Sequence, residues 1–247
     1  MDASNPPPAP SPWLLDEAAT FLNHGSFGAC PLPVLAAQDA VRREWERSPL
    51  QFFVRSLEER LDEVRAVLSR HVGANPDELV FVPNATTGVN AIVRSMPVAA
   101  GDEWIVTDHA YGACVNALRH VAEERGARVV VAPVPFPLDD PQTVVDAVLR
   151  AVGPKSRLAL IDHVTSSTGL VWPVEALARE LAARGVEVLV DGAHGPGMVP
   201  LDLHALGVPY YAANAHKWLC APKQAGFLYV RADKQASVHA PIVSHGR

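Results

Sequence analysis

Cysteine is nearly absent: Cys30, Cys114 and Cys220 are the three in 247 residues, and no two form a C-x-x-C pair. An odd, scattered set excludes a disulfide framework and points to a reducing compartment. Charge is also thin, with 19% Asp, Glu, Lys and Arg, a net charge of −6 and no long basic run. That excludes a binder of the nucleic-acid phosphate backbone. Long apolar runs are missing too. Stretches such as Val129–Pro137 and Arg157–Val164 fall far short of the ~20 residues that span a bilayer. The opening Met1-Asp2-Ala3-Ser4-Asn5 has neither the basic start nor the apolar stretch of a secretory signal, so a cytoplasmic protein is expected.

What is present is apolar substance. Hydrophobic residues make up 49% of the chain, which rules out a disordered protein. The length suits one large domain or one and a half, at roughly 150 residues per domain. Residues 1–12 hold Pro6, Pro7, Pro8, Pro10 and Pro12 and read as a solvated, disordered tail. Globular sequence starts at Trp13, and no internal repeat is found.

Two helices are expected early. Val34–Arg47 carries Val34, Ala37, Val41 and Trp45 at helical spacing, and Val54–Val72 carries Leu57, Leu61, Val64, Val67 and Leu68 on one face. An alternation follows. Strands are expected at Leu79–Val82, Trp104–Thr107, Arg128–Ala132, Leu158–Val164, Val186–Val190, Pro209–Ala212 and Gly226–Val230. Between them, Thr86–Met96, Ala113–Arg125, Pro141–Val152 and Val174–Arg184 read as helices, with Gly126, Gly153 and Gly185 after the last three. The strands are near-continuous apolar runs, as in a sheet covered on both faces. The fold class is therefore α/β, with a mainly parallel sheet in a three-layer α/β/α arrangement.

In such sheets ligands sit beyond the carboxyl ends of the strands. Five of those ends carry chemistry. Asn84-Ala85-Thr86-Thr87-Gly88 opens a helix, where free amides and the helix dipole favour a phosphate, or where Asn84 is an ordinary cap. Asp108-His109-Ala110-Tyr111-Gly112 offers a ring to lie on a planar ligand. Thr165-Ser166-Ser167-Thr168-Gly169 offers consecutive hydroxyls. Asp191-Gly192-Ala193-His194-Gly195 puts a carboxylate beside glycines that admit close backbone approach. Asn214-Ala215-His216-Lys217-Trp218-Leu219 sets a lysine among apolar residues, where desolvation lowers its pKa and makes it a nucleophile or base. Taken singly, each is explained by capping, packing or a surface turn. Together they supply what pyridoxal 5′-phosphate requires: a lysine for a Schiff base, an acid for the ring nitrogen and a phosphate site at a helix N-terminus.

These motifs, with Phe21-Leu22-Asn23-His24-Gly25-Ser26-Phe27-Gly28 and Cys220-Ala221-Pro222-Lys223, resemble the class V aminotransferase family. That is the cysteine-desulfurase-like branch of fold type I pyridoxal-phosphate enzymes, and the isopenicillin N epimerase-like subgroup is nearest. The resemblance runs from about residue 14 onward. It implies that Lys217 binds the cofactor covalently and acts as the catalytic base. It further implies that Asp191 pairs with the ring nitrogen and that His194 and Ser166 lie near the 3′-oxygen. Ala85, Thr86, Asn214 and His216 would hold the phosphate. Tyr111 would stack on the ring, with His109 as the alternative, and Asn23 and His24 would line the substrate mouth.

The implied activity is chemistry at the α-carbon of an amino acid: epimerisation, transamination or, with loss of a β-substituent, C–S lysis. The implied assembly is a homodimer. The resemblance also divides the chain into a large cofactor domain over residues 13–240 and, at 241–247, the start of a C-terminal domain that is otherwise missing. A chain without that domain could bind the cofactor and not turn over. A metal hydrolase built on Asp191, His194 and His216 is the remaining alternative, and it lacks any H-E-x-x-H-like pair.

Overall fold

The computed structural model describes residues 11–243. The expected tail falls mostly outside the described residues, as do the last four positions of the chain. After a helical turn at His24–Phe27, helix α1 covers Leu32–Arg47 and helix α2 covers Leu57–Val72, with a π-helical turn at Phe52–Ser56 between them. Charge placement supports α2: Glu58 and Glu59 lie in its first turn, Arg70 and His71 in its last, and Gly73 closes it at a left-handed φ of 64°.

The alternation then unfolds as β1 (Leu79–Val82), α3 (Ala85–Ser95), β2 (Glu103–Thr107), α4 (Gly112–Arg125), β3 (Arg128–Ala132), α5 (Gln142–Arg150), β4 (Ser156–Asp162), α6 (Val174–Ala182), β5 (Glu187–Gly192), β6 (Tyr210–Asn214) and β7 (Gly226–Val230). The seven strands form one sheet in the order β1-β7-β6-β5-β4-β2-β3. All five residues of β2, of β6 and of β7 are buried, as near-continuous apolar runs require. One core joins the sheet to α5 and α6 through Val144, Val148, Leu177 and Leu181. The other joins it to α3 and α4 through Val89, Ile92, Leu118 and Val121. The three-layer α/β/α expectation therefore holds.

Two details differ from the sequence pattern. Strand β4 stops at Asp162, while β5 and β6 run on through Gly192 and Asn214. Asp191 and Asn214 are thus strand residues and not loop residues. Strand β7 pairs antiparallel with both β1 and β6. A parallel return needs a crossover of about a dozen residues or more, usually with a helix. Residues 215–225 carry no helix, so the chain doubles straight back. That reversal holds Lys217 at the carboxyl edge of the sheet.

Candidate active site

A cavity of about 340 Å³ opens where the carboxyl ends of β5 and β6 meet the first turn of α3. Its wall includes Ala85, Thr86, Tyr111, Ser166, Asp191, Asn214, His216 and Lys217, brought together from five separate chain segments. A larger groove of about 620 Å³ runs along α1 and α2 past Val41, Phe52, Arg60 and Val64. It is open and lacks converging acid, base and nucleophile, so the smaller cavity is the candidate site.

The floor of the cavity is acidic. Asp191 is 3% exposed. Its carboxylate accepts the Cys114 thiol at 3.1 Å and the Ala193 amide at 3.0 Å. Burial raises its pKa, against the pull of Cys114, Ala193 and Lys217. Beside it, Asp162 on β4 is the direct register partner of Asp191 on β5. Register partners in parallel strands point to the same face, so two carboxyl groups share one buried position. Asp162 Oδ2 is buried with no hydrogen-bond partner. Burial first, and the charge of Asp191 second, hold the Asp162 pKa well above the usual range. The sequence did contain its signal, a carboxylate closing an apolar strand like that of Asp191, but only strand order makes the two neighbours.

The raised pKa has a stability consequence with a definite sign. A carboxyl group whose pKa is higher in the folded state stabilises fully below its unfolded pKa, and that contribution is lost as pH rises. Asp162→Asn, neutral throughout, is expected to stabilise the protein at ~pH 7, because no second charge then has to be kept out of, or carried in, the buried position beside Asp191. Thermal melts should show the gain shrinking as pH falls towards the usual Asp value of 3.8. Equal melting temperatures for the two proteins at neutral pH would refute it.

Above the floor, Lys217 Nζ lies 2.9 Å from His194 Nε2. Burial lowers the Lys217 pKa, against the opposing pull of Asp191 and Cys114. Burial, helped by Lys217, pushes His194 down to about 4. The indole N–H of Trp218 donates to His194 Nδ1 at 3.2 Å. His216 Nδ1 lies 2.7 Å from the Ala225 carbonyl. A carbonyl only accepts, so Nδ1 carries a proton and Nε2 donates to an anion only after gaining a second one.

The remaining predicted residues fall as follows. Asn84 caps α3 by accepting the Thr87 amide at 2.9 Å. The Ala85 amide is already engaged by Asn214 Oδ1 at 2.8 Å, which ties α3 to the end of β6. Tyr111 lines the cavity and is 47% exposed. His109 turns away, with its two ring nitrogens 3.2 Å from Thr168 Oγ1 and 3.0 Å from the Val134 carbonyl. From the N-terminal motif, Gly25, Ser26 and Phe27 line the cavity. Asn23 instead caps the helical turn through the Ser26 amide, and His24 packs against Trp13, Phe21 and Trp218. Under the Asp191–Gly195 segment, Tyr211 and His163 are joined at 2.8 Å between the hydroxyl and Nδ1. The sequence patterns pointed to neither residue. Among the described residues, no three His, Cys, Asp or Glu side chains are grouped to hold a metal ion. No described helix is long and apolar enough to cross a membrane.

The family model for aminotransferase class V matches residues 33–246. The chain belongs to the class V aminotransferase family. An isopenicillin N epimerase of Amycolatopsis lactamdurans is 40% identical over 235 residues, covering 94% of this chain and 59% of that relative. A probable chloroplastic L-cysteine desulfhydrase of Arabidopsis thaliana is 33% identical over 246 residues, covering 91% and 51%. This class V chain therefore spans a little over half the length of those relatives. A solved structure of the cystine C–S lyase C-DES, in complex with its product cysteine persulfide, superposes with a TM-score of 0.81 at 27% identity. It covers 89% of this chain and 59% of that one. Another structure of C-DES has glycine covalently linked to the pyridoxal-phosphate cofactor.

The class V cofactor can be tested against the cavity. Asp191 is a buried carboxylate facing the cavity, and its hydrogen bonds come only from a thiol and an amide. The N–H⁺ of a pyridine ring is the kind of partner such a group lacks. In the first turn of α3 the Ala85 and Thr87 amides are taken by Asn214 and Asn84, and Thr86, which lines the same space, is the residue left to offer its amide to a phosphate. Lys217 stands beside both. The residues present fit pyridoxal phosphate.

Proposed function

We propose that this chain binds pyridoxal phosphate through Lys217 and acts at the α-carbon of an amino acid, as an epimerase or aminotransferase. The observation that carries the reading is Lys217 Nζ, half-buried and lowered in pKa, in one cavity with the Asp191 carboxylate and the α3 N-terminus. When bound, the cofactor supplies an electron sink that acidifies the α-hydrogen of an attached amino acid.

The protein's own groups supply the rest. Asp191 holds the ring nitrogen in its protonated form, because its buried charge has no other strong partner. The Thr86 backbone at the start of α3 and a protonated His216 would anchor the phosphate, with Ala85 and Asn214, bonded to each other, fixing the helix start beside it. Tyr111 would support the ring, Ser166 would offer a donor to its 3′-oxygen, and His194, whose Nε2 faces Lys217 in this structure, would reach that oxygen only by giving up the lysine. Lys217 would serve as the general base, since burial lowers the pKa of its amine in the direction a base needs. Asn23 and His24 sit behind Gly25–Phe27 and shape the mouth indirectly.

C–S lysis is the second reading, favoured by the desulfhydrase and C–S lyase relatives. The isomerase and transferase readings leave the β-substituent in place, whereas the lyase expels it, as sulfide from cysteine or as cysteine persulfide from cystine. Family resemblance supports a homodimer, and three free cysteines support a reducing, cytoplasmic setting.

Purified protein given pyridoxal phosphate is expected to turn yellow, and borohydride reduction should fix the label on the Lys217 peptide. Incubation with a panel of amino acids in deuterated water, with detection of sulfide from cysteine and of persulfide from cystine, then sorts the activities. Label at Cα without either sulfur product supports epimerisation or transamination. Sulfide or persulfide supports lysis, and cofactor uptake without exchange supports binding alone. A folded protein that takes up no cofactor refutes the proposal.

A further inference from the structure

The donors and acceptors around Lys217 admit one assignment. An indole nitrogen is only a donor, so His194 Nδ1, 3.2 Å from Trp218 Nε1, must be an unprotonated acceptor. A neutral imidazole with bare Nδ1 carries its proton on Nε2. That N–H points at Lys217 Nζ, 2.9 Å away. An ammonium group has no lone pair and would face the N–H with another N–H. The contact therefore requires a neutral amine.

Trp218 is itself held by close packing. A methyl group added at Gly25 would lie 3.1 Å from the Trp218 ring and 2.9 Å from that of His194. Gly197, at a left-handed φ of +86°, brings its own Cα against the Trp218 carbonyl, where an added Cβ would be 2.7 Å away. The glycine of the His24-Gly25-Ser26 motif thus has a role that cofactor contacts alone do not assign.

We infer that Trp218 is a positioning residue: its indole N–H fixes His194 as the Nε2–H tautomer, and that proton holds Lys217 as a neutral amine before any ligand arrives. The inference rests on the proposed function only in taking Lys217 as the attachment point. The other groups facing Lys217 are Asp191 on β5 and Cys114 on α4, both of which favour its charged form, and His216 on its own loop. The tautomer contact works against the first two. Lowered pKa values at Lys217 and His194 agree with it.

Two measurements on the cofactor-free protein test this. Long-range ¹H–¹⁵N spectra of ¹⁵N-histidine protein, with His194 assigned through His194→Gln, are expected to show protonated Nε2 and bare Nδ1. Competitive acetylation with acetic anhydride, read by mass spectrometry of the Lys217 peptide, gives the pH midpoint of the Lys217 amine. In Trp218→Phe, which keeps an aromatic side chain and loses the N–H, the tautomers should mix and the midpoint should rise by about one unit, a tenfold change in free amine. The midpoint, unlike the rate, does not depend on reagent access.

An Nδ1–H tautomer in the wild type would overturn the inference, even if Trp218→Phe failed to fold. So would a folded Trp218→Phe protein with unchanged tautomer and midpoint. Failure to take up pyridoxal phosphate, with the Nε2–H tautomer present, would sink the proposed function and leave this inference standing.

Discussion

Gly192→Ala is expected to cost more than about 4 kcal/mol, a loss of the size reserved for severe core lesions. The added Cβ would lie 2.0 Å from Cε1 and 2.2 Å from Cζ of Tyr211. Neither side can yield. Gly192 is locked into β5 opposite Ala213 of β6, and Tyr211 is fully buried and bonded to His163. Gly195→Ala is expected to be comparably damaging by a different contact, since its Cβ would meet the Tyr211 hydroxyl at 2.0 Å but Cζ only at 3.4 Å. Tyr211→Phe separates the two. It removes the hydroxyl and keeps the ring, so it should rescue most of the Gly195→Ala loss and almost none of the Gly192→Ala loss. Denaturant midpoints of the two double variants against the singles check this. Equal rescue, or none in either, would show that the Asp191–Gly195 segment is not seated on the Tyr211 ring.

Lys217→Ala is expected to abolish covalent cofactor attachment while leaving the fold intact. The side chain is half-buried and lines a cavity, so its removal enlarges existing space and takes a partly desolvated amine away. The variant should show no yellow band fixed by borohydride on this peptide, although reversible binding at the α3 N-terminus can persist. Exchange at the substrate Cα should fall by at least ~10³, since positioned acid–base catalysis contributes roughly 10²–10⁴ before the loss of attachment is added. Absorbance titration, peptide mapping and deuterium exchange are the readouts. A covalent band of wild-type intensity in Lys217→Ala would move the attachment point to another lysine.

Much of this was legible in the chain, because the signals are local. Leu79–Val82, Arg128–Ala132 and Gly226–Val230 are apolar runs between turn residues, and their strand limits match the pattern residue for residue. Helix ends follow Gly73 and Gly126, which adopt left-handed φ where the pattern needs a stop. Other boundaries shifted because hydrogen bonding, not hydropathy, ends a strand. Asp191 and Asn214 stay in the ladder although both are polar, while Val164 leaves it although apolar. The short turn at His24–Phe27 was hidden by its glycine, and the choice between Tyr111 and His109 needed to know which ring finds partners elsewhere.

The sequence by itself determined the α/β layering and the cofactor class, through an acid, a lysine and a capped helix start at the ends of apolar runs. Tertiary structure decided what those groups do to one another. Strand order made Asp162 the neighbour of Asp191. The antiparallel return of β7 held Lys217 over the sheet edge, and Gly25 and Gly197 closed on Trp218 so that its N–H reaches His194. Protonation states depend on distance and desolvation between residues remote in the chain, and hydrophobic periodicity carries neither.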